Sequence, residues 1–355
     1  MVGVNDFMSA IASTGKAVLD GLHRPLRDLR ISVTDRCNFR CVYCMPREVF
    51  GPGHAFVPRK ELLTLEEIAR VAKVFAEIGM RKVRITGGEP LIRRNLEHLI
   101  EMIDAMEGVQ DISLTTNGSM LSPSRAVSLK HAGLKRLTIS LDALDDATFK
   151  RINDVDYPAS RVLDGIDNAR VAGFSDIKVN AVVRRGFNEH AVLDLTKHFR
   201  HTGCIVRFIE YMDVGETNGW NLDDVIPAAD LVDQIDALYP LEAVSPNYPG
   251  EVAKRWRYRD GAGEIGFITS VTQSFCGDCS RARLSAVGEL YTCLFGTQGH
   301  DLRDLLRSGA DDAQLLEAVS RIWQGRTDRY SELRATATPM PVSGQAKVEM
   351  SHIGG

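Results

Sequence analysis

Cys37, Cys41 and Cys44 stand in the run Thr34-Asp35-Arg36-Cys37-Asn38-Phe39-Arg40-Cys41-Val42-Tyr43-Cys44-Met45-Pro46, a CxxxCxxC with an aromatic residue just before the last thiol. One short loop thus offers three sulfur ligands, not four. A 4Fe–4S cluster held by three cysteines leaves one iron without a protein ligand, and an open iron can bind a molecule and do chemistry on it. Structural zinc prefers four ligands in two CxxC-like pairs, which this asymmetric triplet fits poorly. Thiols packed in a core would be the non-catalytic alternative, but Asp35, Arg36, Asn38 and Arg40 make the loop polar.

A second triplet lies far downstream, in Phe275-Cys276-Gly277-Asp278-Cys279-Ser280-Arg281-Ala282-Arg283-Leu284, completed by Cys293 in Tyr291-Thr292-Cys293-Leu294-Phe295. By itself, a CxxC plus a third cysteine admits zinc with an outside ligand such as His300. Beside the first triplet, a second three-cysteine cluster is the stronger reading, and Arg281 and Arg283 alternate next to it. The seventh cysteine, Cys204, opens an apolar strand and reads as a small buried residue.

These residues need a scaffold. From Arg30 onward, short β-branched runs alternate with helical periodicity. The expected strands are Arg30–Thr34, Lys82–Thr86, Asp111–Thr116, Arg136–Leu141, Ile177–Val183 and Ile205–Met212. The clearest helix, Thr64–Gly79, opens with a capping box of Thr64 and Glu67 and closes on Gly79. Further helices are expected near 95–107, 123–132, 145–152, 160–172 and 189–202. Such alternation implies an α/β fold with a parallel sheet, here a curved (βα)6 partial TIM barrel, with its working residues at the strand ends. The first cysteine loop, Gly87-Gly88-Glu89-Pro90, Thr115-Thr116-Asn117-Gly118, Ser140-Leu141-Asp142 and Glu210-Tyr211-Met212-Asp213 all follow strands. Past residue 240 the pattern changes: Pro240, Pro246 and Pro249 suggest a linker, then come strands near 255–258, 265–271, 283–286 and 289–292 and helices over 301–308 and 311–324. The expected organisation is a lead-in over 1–24, the barrel over 25–240, a smaller C-terminal α+β domain over 241–345 and a tail over 346–355.

Whole-chain properties fit an enzyme of a reducing compartment. The chain has 355 residues, seven cysteines and a formal charge of −4, with no electrostatic footprint for nucleic acid. No apolar run approaches a bilayer-spanning length, and residues 1–24, broken by Gly15 and Lys16, resemble neither a signal nor a transit peptide. A cytoplasmic protein is the expectation. Gly261-Ala262-Gly263-Glu264-Ile265-Gly266 matches GxGxxG, but strand follows it where a dinucleotide fingerprint needs a helix, so it reads as a hairpin turn. Ser13-Thr14-Gly15-Lys16 lacks the first glycine of a P-loop.

With CxxxCxxC upstream and Gly87-Gly88-Glu89-Pro90 after a strand, the chain resembles the radical S-adenosylmethionine (SAM) superfamily. Two glycines let a ligand approach the backbone, and the turn offers carbonyls and a carboxylate to a cation. Within the superfamily the resemblance narrows to the GTP 3′,8-cyclase family of molybdenum cofactor biosynthesis, over nearly the whole length. It is carried by Arg30-Ile31-Ser32-Val33-Thr34-Asp35-Arg36-Cys37, by Arg84-Ile85-Thr86-Gly87-Gly88-Glu89-Pro90-Leu91, by the second cysteine region and by the ending Met350-Ser351-His352-Ile353-Gly354-Gly355. Ser280 stands where the family often has Asn, and the Thr115–Ser140 stretch is one residue longer, which leaves Thr115 and Thr116 both eligible for one role.

The resemblance implies two 4Fe–4S clusters, on Cys37, Cys41 and Cys44 and on Cys276, Cys279 and Cys293, with SAM on the open iron of the first. It assigns SAM contacts to Tyr43, Gly88, Ser140 and Met212. GTP contacts fall to Arg30, Arg84, Thr115, Lys178, Arg281, Ala282 and Arg283. Arg30, Gly354 and Gly355 are implied in catalysis, the tail reaching into the active site. The implied product is (8S)-3′,8-cyclo-7,8-dihydroguanosine 5′-triphosphate. The implied partners are cyclic pyranopterin monophosphate synthase (MoaC) downstream, a flavodoxin or ferredoxin as electron donor, and a second copy in a homodimer. Two other readings stay open: a peptide-modifying radical SAM enzyme with an auxiliary cluster, and a zinc-stabilised binding module without catalysis.

Overall fold

The computed structural model describes residues 17–336 and 347–354. Six strands lie side by side in chain order: β1 (Asp28–Ser32), β2 (Lys82–Thr86), β3 (Asp111–Thr116), β4 (Arg136–Ser140), β5 (Ile177–Val183) and β6 (Ile205–Glu210). All five pairings among them are parallel. Helices cross between them: α1 (Leu65–Glu77), α2 (Leu96–Asp104), α3 (Pro123–His131), α4 (Asp146–Asn153), α5 (Ala159–Val171) and α6 (Ala191–Phe199). α1 begins as its sequence dictates. The Thr64 hydroxyl accepts from Glu67 N–H, and the Glu67 carboxylate accepts from Thr64 N–H.

Strand alternation separates the two faces. On β5, Ile177, Val179, Ala181 and Val183 are buried in the apolar core, while Lys178, Asn180 and Val182 face the barrel interior. Leu29, Ile31, Val83, Ile85, Ile112 and Leu114 do the same on β1 to β3, all without exposed surface, under the helices. Each crossover helix thus covers apolar side chains, while the strands' cations face the interior together with a few apolar residues such as Val182 and Ile209.

After α7 (Ala228–Asp236) the chain adds β7 (Leu241–Val244), β8 (Lys254–Tyr258), β9 (Glu264–Ile268), β10 (Arg281–Leu284), β11 (Glu289–Tyr291) and β12 (His300–Asp301), then α8 (Asp312–Gln324). These strands extend the same sheet at both edges. β9 joins β6 and β10 joins β1, each in parallel, giving twelve strands in the order β12-β11-β10-β1-β2-β3-β4-β5-β6-β9-β8-β7. The stretch expected as a linker is a strand and a hairpin loop: Pro240 leads into β7, and Pro246 and Pro249 lie between β7 and β8. A four-residue edge strand framed by prolines gives too short a pattern to read. The glycines at 261 and 263 do form the turn between β8 and β9. Among the described residues no helix is long and apolar enough to cross a membrane.

Candidate active site

Register decides which charges meet. Arg30 on β1 pairs with Arg84 on β2 and with Arg283 on β10, so three guanidiniums stand abreast on three adjacent strands. The same face carries Arg281, Arg136, Lys178 and Arg207, and all of them line one interior cavity. Burial costs these cations and their mutual repulsion adds to it. Burial, then Arg283, Arg84 and Arg281 hold the Arg30 guanidinium well below its usual range. Burial and then Arg281 bring Arg283 down to about 9, and burial and then Arg207 bring Lys178 down to about 7. So many buried cations with so few carboxylates ask for a polyanion.

The other wall carries the first cysteine loop. Its course is fixed by Arg40, whose Nη1 donates to the carbonyls of Cys37 at 2.8 Å and Phe39 at 2.7 Å and whose Nε donates to Phe50 O at 2.7 Å. Phe39 N–H donates to Cys37 Sγ at 3.4 Å, and the Asn117 amide approaches the same sulfur at 3.8 Å. Gly88 sits against this loop, where a Cβ would lie 2.3 Å from Arg36 O, so only glycine allows the approach. Glu89 is buried behind the cavity-lining residues. Its carboxylate accepts from Leu91 N–H, Thr116 Oγ1 and Asn117 N–H, and burial lifts it to about 7 despite those bonds. Tyr43 Oη donates to Asp142 Oδ2 at 3.0 Å, and burial raises that carboxyl to about 6.

The six triplet cysteines share this cavity with Tyr43, Gly88, Ser140, Met212, Arg30, Arg84, Thr115, Lys178, Arg281 and Arg283. Burial pushes Cys37 up to about 12 and Cys41 and Cys44 up as well, so these thiols need a metal to become thiolates. In the second triplet, burial alone would raise Cys279, but Arg281 and Arg326 overcome it and bring the thiol down to about 6. Among the described residues no His, Cys, Asp or Glu group converges tightly enough to chelate a single ion. Each triplet nonetheless offers the three thiol donors that iron–sulfur clusters take, and all six line one cavity. The donor sets therefore fit iron–sulfur clusters.

Thr115 and Thr116 separate clearly. Both line the cavity, but Thr116 donates its hydroxyl to Glu89 at 2.7 Å, whereas the Thr115 hydroxyl is buried without a partner. Ala282 does not line the cavity. It lies between Arg281 and Arg283 with its side chain in the apolar core, because alternate residues of β10 face opposite ways, and only its backbone is left for a ligand. The helical turn Met350–Ile353 brings the tail to the cavity, where Met350 is part of the wall. The Gly354 carbonyl accepts from the Arg283 guanidinium; Gly355 lies outside the described residues. The sequence reading missed Arg207, a cavity cation whose Nε donates to Asn180 Oδ1 at 3.0 Å and which burial and then Arg84 lower to about 9. The signal was there: like Arg84 and Lys178, it is a cation inside an apolar strand.

Known proteins match this architecture. The profile of the Radical SAM superfamily matches residues 31–199, and that of Molybdenum Cofactor Synthesis C matches residues 204–332. The GTP 3′,8-cyclase of Acidothermus cellulolyticus is 55% identical, covering 95% of this chain and 99% of its own length. That of Staphylococcus epidermidis is 46% identical, covering 96% and 99%. In fold, the chain is similar to the crystal structure of Streptococcus suis SuiB bound to S-adenosylmethionine, with a TM-score of 0.60 at 14% identity over 89% of this chain and 71% of that one. Near-full-length identity of this size, on a barrel that puts two cysteine triplets and a ring of buried cations around one cavity, makes the chain a member of the GTP 3′,8-cyclase family of radical SAM proteins.

Proposed function

We infer that the cavity cyclises GTP to (8S)-3′,8-cyclo-7,8-dihydroguanosine 5′-triphosphate, the first step of molybdenum cofactor biosynthesis. The observation that carries this is a set of buried cations, Arg30, Arg84, Lys178, Arg207 and Arg283, that burial holds below their usual range in one cavity with two cysteine triplets. With clusters on both triplets, the chemistry supplied would be one-electron cleavage of SAM to methionine and a 5′-deoxyadenosyl radical and a hold on the guanine edge; the radical would take the C3′ hydrogen of GTP, C3′ would bond to C8, and a second electron with a proton would complete the product. The chain's own residues do the placing. Arg30, Arg84, Arg283, Lys178 and Arg207 take the triphosphate, guanidinium forks matching phosphate oxygens in bidentate pairs. The free Thr115 hydroxyl supplies a neutral contact between them. Tyr43, held by Asp142, and Gly88, Ser140 and Met212 frame the SAM end of the cavity. The Gly354 carbonyl on Arg283 closes the ring from the tail side.

This reading includes two clusters, about eight irons per chain, a one-electron donor of the flavodoxin or ferredoxin kind, a homodimer, and cyclic pyranopterin monophosphate synthase as consumer of the product. The test is an anaerobic assay with SAM, GTP and dithionite, following 5′-deoxyadenosine and the cyclised nucleotide by chromatography. Cys41→Ala should lose SAM cleavage while retaining the second cluster. Cys279→Ala should retain uncoupled SAM cleavage and lose the cyclised nucleotide. Equal iron loss with identical kinetic defects in the two variants would count against separate sites.

A further inference from the structure

We propose that Arg326 is a positioning residue that tunes the reduction potential of the second cluster through Cys279, with Asp20 as its counterweight. This rests on the reading of the second triplet as a cluster site. Residues 18–26 run past that triplet, and Asp20, Arg24 and Arg326 are all at most 4% exposed. Asp20 Oδ2 accepts from Arg24 Nε at 2.7 Å and from Arg326 Nη1 at 3.2 Å. Arg24 Nη1 donates to Cys276 O at 2.8 Å, so the pair also fixes the start of the CxxC. Arg326 grips Cys279 twice, with Nη1 on its carbonyl at 2.7 Å and Nη2 on its sulfur at 3.2 Å. Arg281 donates to the same sulfur at 3.3 Å.

Two buried guanidiniums thus meet at one ligand sulfur. Arg281 and Arg326 both line the cavity, but the donors of Arg326 are engaged by Cys279, by Asp20 and, from Nε at 3.4 Å, by Asp328 Oδ2. Hydrogen bonds to ligand sulfurs and net charge near a cluster are what set its potential. A sulfur that accepts charge-assisted N–H bonds gives less electron density to iron, and nearby positive charge favours the reduced, more negative cluster. Arg326 therefore raises the potential. Asp20, paired to Arg326 on the side away from the sulfur, offsets part of that charge and lowers it.

The test is an anaerobic redox titration followed by electron paramagnetic resonance, with SAM added to mark the first cluster's signal. Arg326→Gln should move the second cluster's midpoint to more negative values and leave the first unmoved. Asp20→Asn should move the second midpoint in the positive direction. A loop that was merely loosened would shift both variants the same way, and that result overturns the proposal. So does an unmoved midpoint in Arg326→Gln at full iron content. Selective loss of the second cluster's iron from both Arg326→Gln and Arg326→Lys would make the guanidinium a loop anchor only, and also overturns it. A wild-type chain with about four irons would instead fail the two-cluster reading itself, and the iron count tells the two failures apart.

Discussion

Gly354 is the most demanding glycine of the tail, and replacing it by alanine tests whether the tail belongs in the site. Its φ is +74°, in the left-handed region, and a Cβ there would lie 2.2 Å from Thr86 Cγ2. With ψ at 122° the residue lies outside the left-handed helical well, and such a conformation costs an L-residue roughly 1–3 kcal/mol. Thr86 is 3% exposed at the end of β2, so it has little room to give, and overpacking of that kind costs roughly 1–3 kcal/mol. Together these come to about 2–6 kcal/mol against the docked tail, or roughly 30- to 25,000-fold in turnover at about 1.36 kcal/mol per factor of ten. Tail contacts with free energy to spare would absorb part of this, so Gly354→Val, β-branched at the same φ, extends the series. Cyclised nucleotide is measured by chromatography beside 5′-deoxyadenosine, which should persist because SAM cleavage does not involve Gly354. Adding Thr86→Ser to Gly354→Ala removes Cγ2 and should recover the overlap portion while leaving the φ portion. Wild-type cyclisation by both Gly354→Ala and Gly354→Val would refute the placement of the tail.

Three further outcomes follow from the same geometry. Lys178, lowered by burial and then Arg207 to about 7, is charged below that pH and neutral above it in the free enzyme; a bound triphosphate restores the charge. GTP affinity should therefore fall as pH rises through about 7, with proton uptake on binding in calorimetry across buffers of different ionisation heat, and Lys178→Met should lose that uptake. Arg283→Lys keeps a charge but loses the planar fork that reaches Gly354 O, so GTP turnover should drop by roughly 1–3 kcal/mol; wild-type kinetics would remove Arg283 from the site. Deleting Gly354 and Gly355 should abolish cyclisation while fold, iron and reductive SAM cleavage survive, and a synthetic peptide of the last ten residues should restore activity in trans.

Much of this protein is written locally in its chain. Thiol spacing needs no fold to be read, since Cys37, Cys41 and Cys44 lie within one short loop. The crossover helices and the six parallel strands were equally legible, because periods of 3.6 and 2 and the Thr64–Glu67 box are short-range patterns; β2, β3 and β5 fall where their apolar alternation placed them. A cation inside an apolar strand, as at Arg84 and Lys178, already pointed inward.

Other features depend on partners that are distant in sequence. Arg283 stands beside Arg30 only because β10 returns to pair with β1, and no local pattern at either position encodes that register. That return and the pairing of β9 with β6 made the region after residue 240 an extension of the barrel's sheet at both edges. Ala282 looked like its neighbours in a motif, yet strand alternation turned its side chain into the core. The Thr115 and Thr116 hydroxyls differ because Glu89, from the turn after β2, accepts from Thr116 and leaves Thr115 without a partner. The chain itself determined which chemistry is available, through residue types and short spacings. Tertiary structure decided which charges share a cavity, because burial and repulsion act through space between groups that the sequence holds hundreds of residues apart.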